Sequence, residues 1–384
     1  MTKLPDGRYV DDAPFDPTAN IQTLERQDLD APNWLLIWRK FKQHKLGLVS
    51  GIFLLLCYMM LPIAGFLAPY TANERDSDYL YAPPQSIHLY HEDEFVGPFV
   101  YPTVAEADLE TFQWKFVTDT TRPMPLTFFC EGETYPLAGL IDTNTHLFCA
   151  PEGATVFLWG ADRLGRDVFS RILYGAQLSL TVGLIGISVS FFLGIGFGSI
   201  AGYFGGKIDW VINRVIEILR SLPELPLWLA LSAAVPSNWG PVAVFFIISI
   251  ILGILDWPGL ARSVRAKFLS LREEEYVRAA EMMGAGSSRV IRKHLLPNFM
   301  SHLIASATLS IPAMILGETA LSFLGLGLRA PAVSWGVMLN DAQNLASIEI
   351  YPWTAIPMLP IIVIVLAFNF LGDGLRDSLD PYAD

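Results

Sequence analysis

Residues 46–68 read LGLVSGIFLLLCYMMLPIAGFLA, twenty-three positions without a charge. As a helix such a run would be about 35 Å long, enough to cross a hydrocarbon core of about 30 Å. Arg39, Lys40, Lys42 and Lys45 crowd its start. Basic clusters of this kind stay on the cytoplasmic side, so the first crossing runs from inside to outside. Forty-five mainly polar residues precede the run and no small-residue cleavage site follows it. It reads as an anchor rather than a removed leader.

Further runs of similar character occupy 178–204, 211–235, 242–260, 299–321 and 353–372. The third must take in the charged stretch before Leu222, because 222–235 alone is too short to span. Soluble chains rarely repeat such runs six times. Composition agrees: 52% of the 384 residues are hydrophobic, only 17% are charged, and mean hydropathy is +0.39. A formal charge of −12 excludes nucleic acid as a partner. The three cysteines match no zinc spacing and the six histidines share no ligand spacing, so no metal site is expected.

Six crossings place both termini in the cytoplasm. The stretch between the fourth and fifth runs lies there too, with Arg262, Arg265, Lys267, Arg272, Arg278, Arg289, Arg292 and Lys293. The segment 69–177 carries sixteen acidic and six basic residues, a net −10, and belongs outside. The chain thus divides into a tail (1–45), a first span (46–68), an outer insert with its membrane-proximal segment (69–177), and a helical domain (178–384) containing inner helices at 263–297. The insert is too long for a connector. Short β-like runs at 114–118 and 126–130, with a turn-like Glu131-Gly132-Glu133, predict a small, mostly β lobe. Cys130 and Cys149 both lie in it. An oxidising outer compartment predicts a bridge between them, two free thiols being the alternative.

The inner segment 260–297 reads LARSVRAKFLSLREEEYVRAAEMMGAGSSRVIRKHLLP. A helix is expected over 273–283, stopped by Gly284 and Gly286. A second short helix would be capped by Ser287 or Ser288 and ended by Pro297. Ala279 and Ala280 expose little side chain, so another protein's backbone can approach closely there. Physics alone leaves two readings open: a knob for a partner's cleft, or an amphipathic linker resting on headgroups.

At these residues the chain resembles the inner-membrane permease subunits of peptide/nickel/opine-type ABC importers, and more narrowly the second permease of dipeptide and oligopeptide systems. The coupling signature of importer permeases is Glu-Ala-Ala, three residues, Gly, nine residues, Ile-x-Leu-Pro. It falls on Arg278-Ala279-Ala280, Gly284 and His294-Leu295-Leu296-Pro297, with Arg278 for Glu and His294 for Ile, and Tyr276 fits the subfamily's usual reading. Gly160-Ala161-Asp162-Arg163-Leu164-Gly165-Arg166-Asp167 with Ser170-Arg171 resembles the outer signature GTDxxGRDxxSR. Residues 321–327, 334–336 and 372–381 resemble the loop after the fifth helix and the C-terminal ending. The likeness covers 34–68 and 156–384; nothing carries over to the insert.

The resemblance implies an all-α membrane protein with six transmembrane helices of importer-permease type and a small, mostly β extracytoplasmic insert, in a bacterial inner membrane. A homologous second permease would complete a twelve-helix path, and an extracytoplasmic binding protein would deliver substrate. Two cytoplasmic ATPase subunits would engage Tyr276, Arg278, Ala279, Ala280, Gly284, His294, Leu296 and Pro297. ATP and Mg would be bound by those ATPases. This chain is expected to hold no cofactor and to catalyse nothing: Gly205-Gly206-Lys207 lacks the upstream Gly and the following Ser or Thr of a phosphate-binding loop.

Charges within spans are costly and usually face a cavity or each other. Arg214, Glu217 and Arg220 either pair near the inner interface or line the path. Pro223 and Pro226 should bend that helix. Glu318 should avoid lipid, and Asp256 can pair with Arg262 or a partner chain. Gly194, Gly198 and Gly202 share one helix face suited to close packing. Two other classes compete: a stand-alone ion- or proton-coupled transporter, which needs ionisable residues at mid-membrane, and a membrane scaffold, which has no use for the inner knob.

Overall fold

The computed structural model describes residues 2–3, 9–10, 33–108, 113–151, 154–236 and 238–379. Helix α1, Asn33–Gln43, is followed by α2, Lys45–Leu67. His44 caps α2, its Nδ1 accepting the Gly47 amide at 2.9 Å. The face of α2 bearing Gly47, Ser50 and Leu54 is buried, whereas Leu46, Val49, Leu55 and Leu56 are exposed. An apolar exposed face is what a helix at a bilayer boundary presents.

The membrane region continues with α3 (Val168–Phe204), α4 (Gly206–Ser221), α5 (Glu224–Ala233) and α6 (Pro241–Leu271). Then follow α7 (Glu275–Met282), α8 (Ser287–Phe323), α9 (Trp335–Asp341), α10 (Leu345–Ile350) and α11 (Pro352–Leu379). Among the described residues five helices, α2, α3, α6, α8 and α11, are long and apolar enough to cross a membrane. The expected third span over 211–235 is not one helix. It breaks at Leu222-Pro223 into α4 and the ten-residue α5, with Pro223 as the N-cap of the latter. Proline lacks the amide that would continue the ladder and pushes its predecessor into extended backbone; Leu222 has ψ 140. Pro226 sits in the first turn of α5, where a missing amide does no harm.

Helices α3 and α6 pack against each other along glycines. A methyl group on Gly198 would come within 2.6 Å of the Ala261 carbonyl oxygen, and one on Gly202 within 2.6 Å of Phe268 Cβ. The small-residue face at 194, 198 and 202 is therefore a packing seam. One core cluster, with Leu54, Ile172, Leu180, Ile315, Ile364 and Phe368, joins α2, α3, α8 and α11.

Among the described residues between α2 and α3 lie seven strands: β1 (His88–His91), β2 (Glu94–Val100), β3 (Thr103–Asp108), β4 (Gln113–Thr118), β5 (Met124–Pro125), β6 (Thr127–Leu137) and β7 (Ile141–Cys149). All pairings are antiparallel, in a β1-β2-β5 sheet and two hairpins, β3-β4 and β6-β7. Glu131-Gly132-Glu133 is not a turn. It lies inside β6, where the register shifts between Glu131 and Tyr135. A bulge there makes room for His146, since a side chain on Gly132 would meet His146 Cδ2 at 2.7 Å.

The β6-β7 hairpin is seated on the C-terminal end of α2. His146 is fully buried, with Nδ1 2.6 Å from the Ala68 carbonyl oxygen and Nε2 3.0 Å from that of Glu133. Thr71 Oγ1 donates to Glu133 at 2.8 Å, and Tyr135 lies against Gly65. Cys130 and Cys149 are disulfide-bonded across this hairpin, and Cys57 in α2 is free. Closing a loop of 19 residues contributes about 3 kcal/mol. Cys130→Ser is accordingly expected to make the insert far more sensitive to limited proteolysis, while the helical domain stays resistant.

Candidate functional site

Two constellations stand at opposite ends of the helices. One grows from 160–167. Gly165 has φ +70, and a side chain there would strike the Asp76 carbonyl at 1.8 Å, so glycine alone fits. That turn lets Asp162 fold back: its Oδ1 accepts the Leu164 and Arg166 amides at 2.8 and 3.1 Å. Its Oδ2 accepts from Arg166 Nε at 2.7 Å and from Arg171 Nη1. Asp341 at the end of α9 takes the other side, accepting from Arg166 Nη2 at 2.7 Å, Arg171 at 3.4 Å and Arg163 Nη2 at 2.9 Å. Arg166 and Arg171 are 2% and 1% exposed. Two buried guanidiniums thus share two carboxylates, and the shared charge clasps the start of α3 to α9. Trp335 reinforces the joint, its indole donating to the Ile172 carbonyl at 3.1 Å.

Asp167 caps α3, accepting from the Ser170 amide at 2.8 Å and hydroxyl at 2.6 Å. Burial pushes its carboxyl up to about 7, with the Asp162 charge adding to the rise and the Ser170 hydrogen bonds opposing it. A raised native value means that the folded state holds a proton the unfolded chain releases. The stabilisation is full below the ordinary carboxylate range and is lost as pH rises through about 7. Thermal midpoints in detergent should therefore fall from pH 5 to pH 8, and Asp167→Asn should flatten that slope. An unchanged slope would remove Asp167 as its source.

The other constellation is built on α7. Gly284, with φ +84 and open space around it, reverses the chain after the helix. Val277 and Ala280 point inward at 0% and 3% exposure, and Val277 packs in a core with Phe268, Val290, Leu295 and Phe299. The sequence reading treats the two alanines alike. The structure separates them: Ala280 packs on the chain's own core and Ala279 is exposed. Beside Ala279 stand Arg278, paired with Glu273 at 2.6 Å, and Met282 and Met283, 88% and 83% exposed. The methionines were missed in sequence, although bare Met is a common feature of binding surfaces. Tyr203 donates to Glu281 at 2.7 Å, and Asn298 donates to the Tyr276 hydroxyl at 2.8 Å.

Pro297 does not end a separate short helix. The chain is helical from Ser287 to Phe323, passing through a π-helical turn at Val290–Leu295. The wider turn accommodates the missing Pro297 amide. His294 and Leu296 are half-buried there, and Pro297 is exposed.

The candidate path residues do not converge. Arg214 and Glu217 pair at 2.8 Å on an exposed face of α4, with Arg220 further along that helix. Glu318 is fully buried in α8, its Oε1 accepting from Ser322 at 2.7 Å and Ser334 at 2.8 Å, which ties α8 to the loop before α9. Asp256 accepts from Ser190 at 2.7 Å rather than pairing with Arg262. Asp209, not singled out in sequence, is bonded to Arg265 and fixes α4 to α6. Among the described residues no three His, Cys, Asp or Glu side chains gather where they could hold a metal.

Apolar spans, a charged clasp at one end and an exposed helical knob at the other define a multi-pass membrane protein of the transport class. Residues 194–383 match the binding-protein-dependent transport system inner membrane component, and residues 33–84 match the N-terminal TM domain of oligopeptide transport permease C. The dipeptide transport system permease protein DppC of Bacillus subtilis is 44% identical over 225 residues, 58% of this chain and 68% of the relative. The oligopeptide transport system permease protein OppC of Haemophilus influenzae is 39% identical over 242 residues, 62% of this chain and 75% of the relative. The chain belongs to this family of ABC importer permeases and is an inner-membrane transport subunit. An inward-facing crystal form of the MetNI methionine ABC transporter aligns with 54% of this chain and 96% of its own at 18% identity, with a TM-score of 0.43.

Proposed function

We propose that the chain is one of two permeases enclosing the path of an ATP-driven importer for dipeptides or oligopeptides, the solutes named for its relatives. Six crossings, with the α4–α5 pair making the third, would put both termini in the cytoplasm. The exposed face of α7, Arg278, Ala279, Met282 and Met283, would seat in a partner ATPase. Gly284 fixes the reversal, and Tyr276, His294, Leu296 and Pro297 join the knob to α8. ATP and Mg would belong to the two ATPases, and an extracytoplasmic binding protein would present the peptide at the outer face. Closure of the ATPases would shift the knob and with it the balance between inward-open and outward-open states. Arg214, Glu217 and Arg220 would lie near the inner mouth of the path; Glu318 would act by holding the outer loop.

The observation that carries this reading is α7 itself: an apolar inner face locks it to α6 and α8, while its outer face is left bare. The test is purification in mild detergent followed by peptide uptake into vesicles. An ATPase should co-purify, and uptake should require hydrolysable nucleotide. Uptake without nucleotide would instead identify an ion-coupled transporter working alone.

A further inference from the structure

A cavity of about 850 Å³ opens between the inner ends of α6, α8 and α11. Lys267, His302 and Arg376 line it from those three helices, together with Ser263, Ser270 and Asn298. No carboxylate lines it, and among the described residues neither Lys267 nor Arg376 forms an ion pair. Lys267 and Arg376 repel each other across the cavity, and among the described residues no carboxylate offsets that repulsion; an anion would.

Depth indicates which anion. Lys267 lies seven residues beyond Leu260, the last position of the apolar run, and so about 10 Å past the hydrocarbon edge. Arg376 lies four residues beyond Gly372, about 6 Å past it, and His302 sits within the first turn of the apolar part of α8. The headgroup layer of one leaflet occupies about 5–8 Å. The three side chains therefore bracket phosphate depth, and basic pockets between helices on the cytoplasmic side bind anionic headgroups.

We propose that this cavity binds a phosphate-bearing anion, namely the headgroup of an anionic phospholipid of the inner leaflet. Lys267 and Arg376 pair with its phosphate, while Ser263, Ser270 and Asn298 supply hydrogen bonds. Because Asn298 also holds the Tyr276 hydroxyl, the bound lipid stands directly behind the knob on α7. The inference rests on the inward orientation of these helix ends, and its test reads lipid rather than transport, so the two fail separately.

The intact transporter, extracted in mild detergent, is analysed by native mass spectrometry for retained lipid. Wild type should keep phosphatidylglycerol or cardiolipin. Lys267→Gln/Arg376→Gln should lower that occupancy about 30-fold, the combined effect of two basic side chains at a membrane surface, with phosphatidylethanolamine unchanged. Lys267→Arg/Arg376→Lys, which preserves the charge, should retain the lipid and guards against a folding artefact. If phosphatidylglycerol is not retained but inorganic phosphate binds saturably to the transporter in phosphatidylcholine nanodiscs, and the Gln variant loses that binding, the anion is soluble phosphate and the lipid source is overturned. Equal anionic lipid in wild type and the Gln variant would sink the inference. So would loss of the ATPase from that variant with lipid unaltered, because the cations would then serve a protein contact.

Discussion

Asp341→Ala is expected to destabilise the protein by about 3–5 kcal/mol, the usual cost of removing one partner from a buried ion pair. The size follows from what is left behind. Arg166 and Arg171 are 2% and 1% exposed, and without Asp341 they share the single carboxylate of Asp162. Neither guanidinium can lose its proton, so the excess charge cannot be relieved by titration. A loss of that size would lower the thermal midpoint in detergent by about 10 °C. Asp341→Asn keeps a carbonyl oxygen for the same donors and should cost less. The pH profile gives a second readout. Burial alone would raise the Asp341 carboxyl, but Arg171, Arg166 and Arg163 outweigh it and hold it below its ordinary value. Its contribution is therefore present above the ordinary carboxylate range and lost as pH falls through the lowered native value, opposite in sign to that of Asp167. A midpoint in Asp341→Ala matching wild type would show that the clasp does not hold α3 to α9.

Much of this architecture was legible because membrane spans are written locally. The runs at 178–204, 242–260, 299–321 and 353–372 fall within single helices, and the run at 46–68 overshoots α2 by one residue. The run at 211–235 is two helices rather than one for an equally local reason: Pro223, where a bend is expected, breaks the chain outright. The bulge at Gly132 could not be read at all, since it exists to admit His146 from the neighbouring strand. The clasp shows the same limit. Asp162, Arg166 and Arg171 stand in one signature, but their common partner Asp341 lies 170 residues beyond Arg171 and carries no local mark. The helical phase of α7 was available and unused. Val277 and Ala280 are three residues apart, and an apolar pair at that spacing faces inward, which leaves Ala279 to face out.

That phase decides how the proposed coupling role of α7 must be tested. Ala280 is buried, so a bulky residue there would disrupt the chain's own core and failure would report only folding. Ala279→Trp places the same bulk on the exposed side of α7, where none of the described residues covers it. The variant should therefore insert, fold and melt like wild type. If the bare face seats in an ATPase cleft, the indole displaces a close backbone contact, and losses at such centres run to about 2–4 kcal/mol. That corresponds to about a 30- to 1,000-fold weaker docking. ATP-dependent peptide uptake should collapse by a similar factor, and the ATPase should be lost on purification. Ala279→Ser, which adds only a hydroxyl, should behave as wild type. Met282→Ala should weaken docking without abolishing it, because it removes apolar surface but creates no clash. Full uptake by Ala279→Trp would mean that force enters this subunit elsewhere, and the exposed face of α7 would then have to be read as a surface resting on headgroups.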